Sequence, residues 1–155
     1  MLRHNNTPID TILIHCTATP PRREVTRKEL DAWHRAARFE PYYDPALKKN
    51  VYAGYHLLVH LDGTYERLRP DEHRGQHCPQ DNMNNRAVSI CYVGGIDNNN
   101  KPCDTRTEAQ KRTLLTLVRT MRGKYPNAQI IGHKDVKGLR KACPSFDAKS
   151  EYKDV

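Results

Sequence analysis

The sequence lacks any apolar run approaching the length of a membrane span. Its opening residues, Met-Leu-Arg-His-Asn-Asn, lack the apolar core of a secretory signal. Synthesis in the cytoplasm is therefore expected, with passage to any outside target supplied by another system. There is no internal repeat, linker or low-complexity tail, so residues 1–155 are expected to form a single domain. Paired cysteines are lacking too. Cys16, Cys78, Cys91, Cys103 and Cys143 are odd in number, and the chain is too long to need disulfide staples. Reduced thiols are the expectation.

What is present is a polar but foldable composition. Apolar residues make up 37% and mean hydropathy is −0.87. A chain of this length can bury roughly 70% of its unfolded surface and fold around its own core without a metal. The formal charge of +8 favours a polyanionic partner. Nucleic acid, anionic membrane and anionic cell-wall polymers all qualify. The lysines and arginines are scattered, and no helix shows a concentrated basic face, which argues against a nucleic-acid-binding domain.

The pattern of elements points to an α/β domain with a central mixed sheet flanked by helices. Asp10 to Cys16 reads as a strand apolar on both faces, hence central. Alternation puts Leu13 and His15 on one side and Ile12, Ile14 and Cys16 on the other, so Cys16 is expected to be a buried small hydrophobe. Thr26-Arg-Lys-Glu29 is a capping-box pattern opening a helix to about Phe39, with Leu30, Trp33 and Ala37 facing inward and His34 on the surface. Glu40 to Asn50 is a loop that either lines a cleft or covers the core. Val51 to Leu61 reads as one strand, with Tyr55, Leu57 and Val59 sharing a face, turned at Asp62-Gly63 into a strand at Tyr65 to Leu68. Ala87 to Val93 is another covered strand. Thr107-Glu-Ala-Gln110 caps a second helix with Leu114, Leu117, Val118 and Met121 inward, and Gln129 to Gly132 is a short strand that delivers His133.

Chemistry concentrates between Gly132 and Asp147, where His133, Lys141 and Cys143 share a segment broken by Gly138 and Pro144. Imidazole and thiol together suit Zn²⁺, and a catalytic zinc usually needs three protein ligands. His15, at the end of the first strand, is the candidate third. A lone histidine there is more often structural, but Lys141 beside a metal ligand repels the cation and needs a reason to be present. Stabilising an oxyanion is one. His73, His77 and Cys78 form a rival cluster, although Gly75 and Pro79 keep them off one helix face.

The stretches Ile-Leu-Ile-His15-Cys-Thr-Ala-Thr, Gly54-Tyr55-His56, Val93-Gly-Gly-Ile-Asp97 and Lys141-Ala-Cys143-Pro-Ser-Phe-Asp147 together resemble the type 2 N-acetylmuramoyl-L-alanine amidases. That zinc amidase family includes the peptidoglycan recognition proteins, and the resemblance is closest to its bacteriophage lysozyme branch. The blocks occur in family order across nearly the whole chain. The gap from His133 to Lys141 is about two residues longer than in the phage branch, a length Gly138 can absorb. The resemblance implies one Zn²⁺ on His15, His133 and Cys143 in a cleft at strand ends, with a position left for water. It further implies Tyr55 and Lys141 as catalytic groups and His77 lining the substrate cleft. The implied reaction is hydrolysis of the amide between N-acetylmuramic acid and L-alanine in peptidoglycan. No His-Glu-x-x-His segment supplies a glutamate base, which fits a tyrosine and lysine pair. The alternative within the family is a non-catalytic peptidoglycan-binding module, against which Cys143 and Lys141 stand.

Overall fold

A computed structural model describes residues 6–155; residues 1 to 5, on which the reading of the N-terminus rests, lie outside them. The first strand, β1 (Thr11–Cys16), has every residue buried, as a run apolar on both sides requires. It occupies the interior of a five-stranded sheet ordered β5-β4-β6-β1-β7. The partners are β4 (Leu57–Val59), β5 (Tyr65–Arg67), β6 (Ala87–Tyr92) and β7 (Gln129–Gly132). Strands β4, β6, β1 and β7 run parallel, and β5 is antiparallel to β4 across the Asp62-Gly63 turn, so the sheet is mixed as expected.

Side-chain alternation along β1 divides the core. Ile12, Ile14 and Cys16 join Leu57, Val59, Val88, Ile90 and Tyr92 on one face. There they meet α3 (Glu108–Lys124) through Leu114, Leu117, Val118 and Met121. Leu13 faces the other way, with Ile131, Ala87 and Met83. Beside it Leu58, Cys91 and Val93 pack with Leu30 of α1 (Arg27–Ala36). Both long helices start at the anticipated capping boxes, Thr26 with Glu29 and Thr107 with Gln110.

Several readings of local structure are corrected. Val51 to Leu61 is not one strand: Lys49–Val51 forms β3, paired with β2 (Tyr42–Asp44), and pairing resumes only at Leu57. Because the chain leaves strand geometry at 52–56, Tyr55 packs with Leu58 and Cys91 instead of sharing a face with Leu57 and Val59. Helix α1 ends at Ala36, short of Phe39. It turns Leu30, Asp31 and His34 toward the protein, while Trp33 is 39% exposed with the Arg23 guanidinium 5.4 Å over its ring.

Candidate active site

Two parallel neighbours end side by side and each carries a histidine. His15 is the fifth residue of β1, and His133 follows β7 directly. Their ring centroids are 4.4 Å apart. The chain then passes Gly138, which takes a positive φ of +85°, and returns so that Cys143 meets them. Gly132 allows this return: a Cβ there would sit 2.6 Å from Pro144 Cδ. The returning segment is pinned on both sides of Pro144. The Tyr92 hydroxyl donates to the Pro144 carbonyl at 2.6 Å, Ser145 Oγ donates to the Gly95 carbonyl at 2.6 Å, and Lys134 N donates to the Cys143 carbonyl at 2.7 Å. Further along, Arg106 lies 3.4 Å over the Phe146 ring and is paired with Asp104 and Glu151.

The ligand atoms of His15, His133 and Cys143 all lie within 4.8 Å of one another, the one such group able to hold a metal ion among the described residues. Two nitrogens and a sulfur at this spacing fit a tetrahedral ion with a fourth position open. Both imidazoles are kept neutral, as ligation demands. Burial, then the neighbouring His133 and Lys141, hold His15 well below its ordinary pKa, and burial with Lys141 lowers His133 to about 4. Contact with the Cys16 side chain and burial push the Cys143 thiol up, so its thiolate requires a cation alongside. Cys16 N also donates to Cys143 Sγ at 3.2 Å. Cys16 is buried as expected, but its thiol abuts the metal-type ligand instead of sitting in purely apolar surroundings.

The site opens into a cleft of about 430 Å³ whose lining includes His15, Tyr55, His133, Lys141 and Cys143, with Thr17, Ile96 and Pro102 along its rim. Tyr55 lies 5.0 Å from His15, centroid to centroid. Burial raises its phenol well above the ordinary value, so it remains a proton-bearing donor. Lys141 is exposed along the same cleft. His77, expected to line the substrate cleft, lies against His15: its Nδ1 is 3.1 Å from His15 Nε2. The opposite nitrogen of His15, Nδ1, is the one that faces Cys143 Sγ, at 3.8 Å. His73 is drawn away from any shared site, its ring against Tyr42 and its carbonyl bonded to His56 Nε2.

His34 was not anticipated. It leaves the surface assigned to it, accepts the Gly54 N–H at Nδ1 (2.8 Å) and lies 5.3 Å from the Tyr55 ring. Its place three residues after Asp31 is the one available signal, since a polar pair on the face next to Leu30 breaks the apolar stripe.

An α/β sheet with a His, His, Cys cluster where its parallel strands end is an architecture that can hold a metal ion in an open cleft. The chain belongs to the N-acetylmuramoyl-L-alanine amidase family, whose model matches residues 5–146. It is 35% identical over 140 residues to the endolysin of Escherichia phage T7, covering 90% of this chain and 83% of that one. Among solved structures it resembles the endolysin amidase LysCS from Clostridium intestinale URNW, with a TM-score of 0.72 and 26% identity over 98% of this chain and 84% of that one. Drosophila PGRP-LB shares the fold, with a TM-score of 0.68 at 18% identity, over 96% and 81% of the two chains.

Proposed function

We propose that this protein is an endolysin-type amidase that hydrolyses the bond between N-acetylmuramic acid and L-alanine in peptidoglycan. His15 Nδ1, a nitrogen of His133 and Cys143 Sγ would hold one Zn²⁺. The convergence of these three donors at strand ends, within 4.8 Å, is the observation that carries the reading. When bound, such an ion supplies Lewis acidity and acidifies water from a pKa of about 15.7 toward 7.

The chain's own groups do the rest. The substrate carbonyl enters the cleft between Tyr55 and Lys141. The ammonium of Lys141 meets the oxygen on which negative charge develops, where a fixed donor is worth more than in water. Tyr55, held as a neutral phenol, orients the attacking oxygen through a hydrogen bond and relays that oxygen's proton toward the departing nitrogen, ending as a phenol again. His77 Nδ1 would accept the hydrogen bond that neutral His15 donates from Nε2, which leaves His15 Nδ1 as the nitrogen that points into the site. The excess positive charge favours an anionic wall polymer over a neutral one, and the scatter of lysines and arginines along the sequence speaks against a nucleic-acid-binding domain. No described helix is long and apolar enough to cross a membrane.

Digestion of purified peptidoglycan, with and without a chelator, tests the reading. New alanine amino termini should appear without new reducing sugars, and only when metal is present. New reducing ends would indicate a glycosidase, and no cleavage at all a binding module.

A further inference from the structure

Three successive N–H groups between β3 and β4 are bonded to side chains of a single helix. Asp31 Oδ1 accepts from Tyr52 N at 2.5 Å and from Ala53 N at 3.1 Å, and His34 Nδ1 accepts from Gly54 N at 2.8 Å. Asp31 and His34 are three apart and share one face of α1, so the helix offers a row of acceptors to chain that has no strand partner. On the carbonyl side, Gln76 N donates to the Gly54 oxygen at 3.0 Å. A Cβ on Gly54 would land on the Gln76 carbonyl oxygen, so the Gly54 peptide is gripped from both sides. The next residue is Tyr55. The His34 ring touches it at 5.3 Å between centroids and is itself braced by Phe39 at 4.4 Å.

From this we infer that His34 is a positioning residue for Tyr55, setting the phenol's place in the cleft through the Gly54 N–H and through ring contact. The inference rests on the reading of Tyr55 as a catalytic donor given above. The phenolic oxygen is the far end of the side chain, so a small turn of the Gly54 peptide is enlarged there. A displacement of about 1 Å of a reacting group can lower turnover about a hundredfold. Burial, then the nearby Arg69 cation, lower the His34 pKa to about 4, and neutral imidazole is what an acceptor at Nδ1 requires.

The test uses zinc-loaded full-length protein and kcat and KM on soluble muropeptide, with zinc content and melting followed in each variant. His34→Phe keeps a ring against Tyr55 and Phe39 but loses the acceptor; His34→Asn keeps an acceptor near the Nδ1 position. We expect His34→Phe to lower kcat roughly ten- to a hundredfold with KM and zinc nearly unchanged, and His34→Asn to recover most of it. In the Tyr55→Phe background His34→Phe should cost nothing further, because its effect passes through the hydroxyl that is already gone. Multiplicative losses in the double variant would overturn the inference, since a merely structural histidine acts alike in both backgrounds. Should His34→Phe lose zinc or cooperative melting, His34→Gln, whose amide reaches past the Gly54 N–H, replaces it in the cycle with the same outcomes. Full turnover in Tyr55→Phe would remove the tyrosine, and His34 with it. A crippled Tyr55→Phe beside an unaffected His34→Phe would remove His34 alone.

Discussion

The metal-type ligands and Tyr55 face one cleft but are held by different means. His15 stands on a strand paired along all six residues with β6 and along four with β7. The backbone leading to Tyr55 has no strand partner, and side chains of Asp31, His34 and Arg69 take its polar groups. His15, built into the frame of the sheet interior, can move only if the sheet does. An arm held by a few side chains can be displaced by one substitution. The place of His15 is thus tied to global stability, and the placement of Tyr55 is tied to local contacts.

Removing a ligand should have the largest effect. Cys143→Ser is expected to lose bound zinc and to drop turnover at least about a thousandfold, since the acidified water goes with the ion. Cys16→Ser should keep its zinc. Metal analysis checks both, and equal loss in the two variants would mean that the thiol assignment is wrong. Lys141→Ala tests the cleft side of the frame: zinc and wall binding should remain while single-turnover cleavage falls about a hundred- to a thousandfold. Lys141→Arg should recover little, because a planar guanidinium on a longer stem presents different donors.

A smaller effect is expected where the arm side is tied to α3. Buried Asp71 binds Arg67 and Lys124, each at 2.6 Å, and the Tyr125 hydroxyl at 2.8 Å. Both cations are more than 40% exposed, so solvent screens them. Asp71→Asn should cost about 1–2 kcal/mol and lower the melting temperature by roughly 3–6 °C. Burial opposes ionisation of Asp71, yet Lys124, Arg67 and Tyr125 hold its carboxyl at about 2. Unfolded Asp titrates near 3.9, so this stability is present above about pH 4 and is lost as pH falls toward 2. Melting curves of Asp71→Asn should be correspondingly flatter in that window.

A pH effect probes the arm directly. Folded His34 titrates at about 4 and unfolded His near 6.5, so between these values the unfolded chain takes up a proton that the folded chain refuses. The stability from neutral His34 is present above about pH 6.5 and drains away as pH falls toward 4. His34→Asn should reduce that slope. Hydrogen exchange should show the amides of 52–54 opening more readily than those of β1. Equal protection at both places would undo the contrast.

Much of the frame was legible because it follows from local rules. Thr26 and Thr107 announce their helices by capping boxes, and β1 announces its central position by a run with no polar face. His15, His133 and Cys143 were found because ligand chemistry narrows the choice of residue types. The arm was not legible for a physical reason. Alternation from Val51 to Leu61 imitates a strand, and nothing in that segment reveals that Asp31 and His34, about 20 residues earlier, would take its N–H groups. Trp33 misled in the same way. An indole belongs inside by transfer energy, but here Arg23 covers it at the surface. The contact of His77 with His15 was not legible either, because it depends on a loop fold set by Asn84, whose side-chain oxygen accepts from His77 N and Cys78 N.

Arg69 carries a further consequence. Its guanidinium is buried and grips four backbone carbonyls, those of Glu40, Tyr52, Ala53 and Arg74. A carbonyl is the same on every residue, so this grip is blind to the side chains of the segments it joins. Through those carbonyls Arg69 ties three separate stretches of chain, around 40, 52–53 and 74, into one course leading toward Tyr55 and His77, whatever side chains those stretches carry.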